Sequence, residues 1–241
     1  MATASIARNE TLFSASQLPV KVTGMQDMAS KMWAPLLIMG FMLIVGSFIV
    51  GLVNSSTAAD YFTASKVVRE AAETGSTLAT QKAFIESTKI WLPAVKFLGL
   101  GMLLGGVTFL LATILGALRT GGGRVQEALG VDVKIIKPPM TAKAFPMFMM
   151  MGMMILMVSL IIGIVTSTLA YGYWNHSIAT QLNPSTTGLL ADLGTINAIK
   201  LWLEPLKFVG MAFLFTGIGL ALATIVEVLR WQSSRLWEAL R

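Results

Sequence analysis

Two lysines lie within long apolar stretches of the sequence, at matching positions of an internal repeat. Lys96 comes five residues after Trp91, and Lys207 comes five residues after Trp202. A cation in such a stretch either binds an anion or extends its amine to the lipid head groups. Tryptophan is typical of the membrane surface, so the spacing favours anchoring, with a lipid or solute site as the alternative. Glu204 precedes Lys207 by three residues, a helical spacing that allows an ion pair.

A methionine-rich stretch could carry a different chemistry. Met147, Met150, Met151 and Met154 fall along one face of a predicted helix. Thioethers are soft ligands that suit Cu(I), but methionine also packs adaptably against irregular apolar partners. Because no cysteine or nearby histidine supports a copper site, we favour packing and keep Cu(I) binding as the alternative.

The residues that usually carry catalysis are sparse. The chain has no cysteine, and its one histidine, His176, has no neighbouring carboxylate in the sequence. No acidic residue lies deep in an apolar stretch, and the glycine triplet 121–123 lacks the Lys-Ser/Thr of a phosphate loop. This triplet is predicted to form a flexible hinge. The sequence therefore predicts a protein that is not an enzyme and has no cofactor and no metal centre.

These residues belong to a membrane protein by composition. Hydrophobic residues make up 55% of the chain and charged residues 12%, about half the charged share of a typical soluble domain. The apolar residues concentrate in four stretches that are nearly free of charge, and each is long enough to cross a bilayer as a helix. The predicted fold is an all-α integral membrane protein with four transmembrane helices.

The chain also contains the same unit twice. Residues 89–130 align with residues 200–241 without a gap, at an offset of 111, and 18 of the 42 aligned positions are identical. The earlier parts align at offsets of 111 and 112. Each unit contributes two spans, so both units must have the same orientation, which predicts a tandem duplication of a two-helix unit rather than an inverted repeat.

The duplication sets the predicted domain boundaries. An N-terminal segment (1–31) precedes repeat 1 (32–130) and repeat 2 (131–241). The outer connectors are predicted to form short helices, with a break near Gly75 in the first. The predicted parts are span 1 at about 33–53, an outer connector at 54–90, span 2 at about 91–118, span 3 at about 144–173, an outer connector at 174–199 and span 4 at about 200–229.

Basic residues predict the orientation. Lysine and arginine are abundant before span 1, between spans 2 and 3 and after span 4, whereas residues 175–199 contain neither. Positively charged segments remain cytoplasmic, so both termini are predicted on the cytoplasmic side of the cell's inner membrane. The net charge of +6 follows from this bias, and no nucleic-acid partner is predicted.

Small residues at four-residue spacing predict close helix packing. Gly101 and Gly105 in span 2 align with Ala212 and Thr216 in span 4. Such spacing lets membrane helices approach closely, which predicts contact between spans 2 and 4. Gly217 and Ala221 form a second pair of this kind in span 4.

The sequence predicts a non-catalytic structural or accessory subunit of a larger membrane complex. Its partners would be the lipid bilayer and other membrane subunits, further copies of itself, or both. One alternative is a small anion or solute channel along the pseudo-two-fold axis, with Lys96 and Lys207 at its outer mouth. A third possibility is Cu(I) handling by the methionine-rich helices.

Overall fold

A computed structural model of the chain describes residues 10–12, 24–130, 134–136, 139–183, 185 and 187–239. These residues are almost entirely helical. The elements in chain order are β1 (Glu10–Leu12), α1 (Gly24–Thr63), α2 (Lys66–Glu70), α3 (Thr77–Ala128), β2 (Lys134–Ile136), α4 (Met140–Trp174), α5 (Ile178–Leu182) and α6 (Thr187–Ala239).

Four helices are long and apolar enough to cross a membrane: α1, α3, α4 and α6. Their most apolar windows have mean hydropathies between 2.2 and 2.7. Each helix exceeds the roughly 20 residues that a hydrocarbon layer requires. Every one contains a proline, at positions 35, 93, 146 and 205, which membrane helices tolerate when neighbours satisfy the freed carbonyl. The prediction of a multi-pass membrane protein is confirmed.

The long helices extend beyond the spans that hydropathy alone marks. The first turns of α3, residues 77–90, fall in a stretch that the sequence analysis assigned to a connector. No glycine or proline interrupts the chain between Thr77 and Leu92, so the helix continues into the span without a break. Gly75, with a φ of +76°, precedes this helix.

The predicted hinge at residues 121–123 is wrong, because the glycine triplet lies inside α3. Gly122 instead permits a close approach between helices. The Gln232 side chain of α6 occupies the space that a β-carbon on Gly122 would fill. Its Nε2 donates a hydrogen bond to the carbonyl oxygen of Leu118 at 2.6 Å. The missing side chain therefore gives room for a hydrogen bond between α3 and α6.

The described residues form two compact units, each containing a part of every long helix. The first comprises Met1–Ile38, Leu103–Met151 and Phe213–Arg241, and the second Met39–Met102 and Gly152–Ala212. The core of the first unit includes a cluster of Leu115, Val228 and Trp231. The core of the second includes a cluster of Ile90, Ala170, Tyr173, Ile196 and Leu203.

Glycines seven residues apart bring neighbouring helices together within each unit. In the second unit, a β-carbon placed on Gly99 would lie 3.0 Å from the carbonyl oxygen of Gly40 in α1. At the aligned position of α6, a β-carbon on Gly210 would lie 2.9 Å from the Leu156 side chain in α4. In the first unit, Gly106 approaches α1 and Gly217 approaches α4 in the same way. These close approaches require glycine because no side chain fits.

The first unit also contains an antiparallel ladder in which Glu10 lies opposite Ile136. The prediction of a wholly helical protein did not include these two strands. Strands of three residues are too short to give a recognisable alternation of polar and apolar positions.

Four of the basic residues that predict a cytoplasmic location for the termini and for the connector between spans 2 and 3 lie outside the described residues. They are Arg8, Lys21, Lys137 and Arg241.

In the second unit, the connectors that follow α1 and α4 are hydrogen-bonded to one another. The amide of Gly75 donates to the carbonyl oxygen of Asn175 at 3.0 Å, and the amide of Ser177 donates to the Thr74 hydroxyl at 2.9 Å. The short helices α2 and α5 begin at aligned serines, Ser65 and Ser177. Each serine oxygen accepts from the amide three residues later, as an N-cap does.

Candidate functional site

Lys207 is buried within α6, with 2% of its side chain exposed. Its Nζ lies 3.4 Å from Oε2 of Glu204, so the ion pair that the spacing allowed is present. Glu204 itself is 60% exposed. The ammonium also lies 5.7 Å from the centre of the Phe97 ring, within the range of a cation–π interaction. A buried cation in an apolar span is costly unless it is paired, so this cluster is the foremost candidate for a functional site.

Lys96, the aligned residue of α3, is exposed. The two lysines are therefore in different environments, although the residues after them meet: the Phe97 and Phe208 rings are 5.2 Å apart, edge to face. Gly51 of α1 and Gly163 of α4 both contact α3, near Leu92 and Ala94. Both α1 and α4 therefore pack against the part of α3 that precedes Lys96.

The two tryptophans also differ in exposure. Trp91 is half-buried, whereas Trp202 is exposed. The α-carbon of Trp91 lies 3.7 Å from the position that a β-carbon on Gly163 would take, so α4 covers that part of α3. Membrane-surface anchoring by Trp202 stays a prediction.

The methionine candidates for Cu(I) lie on an exposed face of α4. Met147, Met150, Met151 and Met154 are all exposed, whereas Met149 is buried. An outward face suits contact with acyl chains or with another apolar surface. Copper binding stays a prediction for these residues. Among the described residues, no group of three His, Cys, Asp or Glu side chains could hold a metal ion.

The small residues chosen from the sequence divide into buried and exposed sets. Gly101, Gly105, Gly217 and Ala221 are buried, but Ala212 and Thr216 lie on an exposed part of α6. Gly99 and Gly106 also permit close approaches, and these two glycines contact α1 rather than α6. Their seven-residue spacing, repeated at 210 and 217, was visible in the sequence and is the pattern that would have identified them.

Hydroxyl groups in the apolar helices bond within their own helix. Ser47, Thr108, Ser159, Thr166 and Thr224 are buried, and each side chain except that of Ser47 donates to the carbonyl four residues earlier. Ser47 donates to the carbonyl three residues earlier. The Thr224 hydroxyl also contacts another helix, because its oxygen lies 2.7 Å from the hydroxyl oxygen of Thr141 in α4. The other four hydroxyls satisfy their protons within their own helices.

His176 lies in the connector after α4, where its backbone groups form hydrogen bonds. Its carbonyl oxygen accepts from the Gln181 side chain at 2.7 Å, and the same amide group reaches the Tyr173 carbonyl at 3.2 Å. Gln181 is buried and closes the end of α4, because it satisfies carbonyls that the helix leaves free.

Two arrangements were missed by the sequence analysis. The Nζ of Lys82 lies 4.3 Å from the centre of the Trp174 ring, a contact between distant residues that no local pattern reveals. A groove of about 490 Å³ in the first unit is lined by Asp27 and Ser30 of α1 and by residues of α3 up to Arg124. In the sequence, the groove is indicated only by the four-residue spacing of Asp27 and Lys31, which allows an ion pair. In the structure, Oδ2 of Asp27 and Nζ of Lys31 are 2.8 Å apart.

The four long apolar helices define the class as a multi-pass membrane protein. No known protein family, no curated protein and no solved structure matches the chain.

Proposed function

We propose that the chain is a non-catalytic structural or accessory subunit of a larger membrane protein complex. The observation that carries this proposal is the surface of α1. Only 11% of its most apolar window is buried, against 28–39% for the other three long helices. Large side chains such as Phe41 and Phe48 are exposed along it. A helix with so little contact inside its own chain has most of its surface available for a partner helix.

The hydroxyl groups of the spans support a packing role. A channel requires polar groups that face a common hydrated path. Four of the buried hydroxyls described above donate to carbonyls of their own helices instead, and the fifth, Thr224, also pairs with the Thr141 hydroxyl. The exposed faces are formed mainly by Met, Phe, Leu, Ile and Val. Such faces gain their association energy from close van der Waals packing with other helices.

We further propose that the architecture arose by tandem duplication of a two-helix unit. The aligned serines Ser65 and Ser177 have the same cap conformation, with ψ values of 155° and 154°. The aligned glycines Gly99 and Gly210 both make the close approach to the preceding long helix. Similar local conformations at aligned positions support a common origin of the two halves.

The proposed orientation has both termini on the cytoplasmic side of the inner membrane. The pairing of β1 with β2 supports it, because this ladder joins the N-terminal segment to the connector between α3 and α4. Both segments then lie on one side of the membrane. The excess of basic residues in that connector makes this side the cytoplasmic one.

The test is purification of the full chain from its native membrane in a mild detergent, through a C-terminal tag, followed by native mass spectrometry. Foreign subunits in fixed stoichiometry are the expected result. A photo-crosslinking residue at Phe41 or Phe48 should then link to one of these subunits. The matched control is the buried Leu214, where only links within the chain are expected. A chain that elutes alone and crosslinks only to lipid would contradict the proposal.

An anion channel or transporter is the second candidate, and the buried Lys207 is the observation that favours it. A cation held within an apolar span could form an anion site. The proposal is tested by anion flux in liposomes containing the purified chain. Flux that is abolished by Lys207→Met but kept in the matched variant Lys96→Met would replace the accessory role with this one. Absence of flux in the unmodified chain would remove the channel candidate.

A further inference from the structure

The groove in the first unit combines two opposite charges with a path toward the apolar span. It has a volume of about 490 Å³ and lies between the beginning of α1 and the last part of the predicted span 2. Of its lining residues, Gly116 and Ala117 fall within the predicted span 2, whereas Asp27 and Arg124 fall outside the predicted spans. The groove thus crosses the depth at which acyl chains give way to head groups.

The two charged residues are not joined to one another. Among the described residues, Arg124 forms no ion pair, and its side chain is exposed. Asp27 accepts from Lys31 through Oδ2 at 2.8 Å, which leaves Oδ1 open. Both side chains of this ion pair are exposed to solvent, so the pair is weak. The Asp27 carboxylate can therefore accept a hydrogen bond from a second donor.

The remaining polar groups of the groove narrow the choice of ligand. The Ser30, Thr113 and Thr120 hydroxyls donate to carbonyls of their own helices, at 2.8 Å, 3.0 Å and 3.0 Å. Their protons are thus engaged, and Arg124 is the side chain of the lining that can donate to a phosphate. Its planar guanidinium suits bidentate contact with phosphate oxygens. A carboxylate at the other charged position suits an ammonium group.

The aligned region of the second repeat is closed. Continuing the offset of 111, Ser30 aligns with Thr141 and Thr113 aligns with Thr224. Thr141 and Thr224 are hydrogen-bonded to each other at 2.7 Å, and Thr224 is fully buried. Arg235, which aligns with Arg124, forms an ion pair with Glu238 at 2.6 Å. The groove is therefore a feature of the first repeat, and Arg235 provides a matched control.

We propose that this groove binds a phospholipid whose head group carries both a phosphate and a primary ammonium, as phosphatidylethanolamine does. Arg124 contacts the phosphate, Asp27 accepts from the ammonium, and an acyl chain follows Ala117 into the span. The preference for a primary ammonium follows from its N–H donors, which the quaternary ammonium of phosphatidylcholine lacks.

The experiment is native mass spectrometry of the delipidated full chain, titrated with phosphatidylethanolamine, phosphatidylcholine and phosphatidylglycerol of the same acyl composition. The unmodified chain should retain phosphatidylethanolamine best. Arg124→Gln should weaken retention of all three lipids, by about tenfold or more. Asp27→Asn should abolish the preference for phosphatidylethanolamine over phosphatidylcholine. Arg235→Gln should behave like the unmodified chain.

A fourth variant, Ala117→Trp, fills the groove without removing a charge and should also prevent retention. Thermal unfolding of each variant shows whether the variant is folded. Only the folded variants are used to judge the proposal. Equal retention of the three lipids by the unmodified chain would overturn the proposal. It would also be overturned if Asp27→Asn kept the preference, or if Arg235→Gln lost as much binding as Arg124→Gln.

Discussion

The environment of a lysine decides what its substitution costs. Lys207 is enclosed between Glu204 and the Phe97 ring, whereas Lys96 extends from the surface of α3. The two aligned lysines therefore differ: the charge of Lys207 is buried, and the charge of Lys96 is exposed. Burial makes the first sensitive to any change of charge, since an uncompensated ion in an apolar interior loses its hydration.

We expect Lys207→Glu to destabilise the protein by about 3–5 kcal/mol, because it places a carboxylate next to Glu204 without a partner. The matched change Lys96→Glu should cost less, because the Lys96 side chain is exposed and is not enclosed within the protein. Tryptophan fluorescence during unfolding in detergent measures both. Equal effects of the two changes would show that the burial of Lys207 has no energetic consequence.

The methionine face of α4 leads to a prediction about copper. Residues three and four apart on a helix have β-carbons about 5–6 Å apart, so one helix brings few thioethers to a single ion. We expect the purified chain to lose Cu(I) completely to the chelator bicinchoninate. Retention of one Cu(I) per chain, abolished by Met150→Leu with Met154→Leu, would instead support the copper alternative. Met149→Leu, a buried position, is the control.

At the scale of the helix, glycine positions determine how closely elements pack. A β-carbon on Gly99 would meet the α1 backbone at 3.0 Å, whereas one on Gly46 of α1 would meet nothing within 4 Å. Backbone cannot move aside as a flexible side chain can, so the added methyl group forces the helices apart. Two glycines with the same helical propensity therefore differ in how a side chain at their position would affect helix packing.

We expect Gly99→Ala to destabilise the protein by about 1–3 kcal/mol through overpacking. Gly46→Ala should be neutral or should stabilise by up to about 1 kcal/mol, because alanine favours the helix. Circular dichroism during thermal unfolding distinguishes the two. If Gly99→Ala were as stable as Gly46→Ala, the close approach of α3 to α1 would be wrong.

How much was predictable differs between elements. The distribution of apolar residues was enough to predict four membrane helices, because backbone polar groups in lipid must be hydrogen-bonded within the protein and a helix does this. The continuity of α3 through the glycine triplet was not predictable from local propensity. Within this triplet, Gly122 packs against Gln232, a residue of another helix. The burial of Lys207 likewise depends on which helices surround α6, which no spacing within α6 specifies.

At the scale of the whole molecule, the proposed orientation is testable because the chain contains no cysteine. Single cysteines can be introduced at Leu129 and Glu238, near the ends of α3 and α6, and at Thr63 and Ser185 in the outer connectors. Intact cells treated with a membrane-impermeant maleimide should be labelled at Thr63 and Ser185. Leu129 and Glu238 should react only after permeabilisation. The opposite pattern would reverse the orientation. If Thr63 and Ser185 were labelled from different sides of the membrane, or if Leu129 and Glu238 were, the arrangement of four spans would be contradicted.

The division of each compact unit among distant parts of the chain has a consequence for biosynthesis. The first unit contains residues from both the first and the last long helix, and the second contains segments that end at Ala212. During translation, α1 and α3 therefore enter the bilayer long before their partners in either unit have left the ribosome. We expect a chain arrested after residue 130 to be degraded by membrane quality control rather than to persist as a smaller working protein.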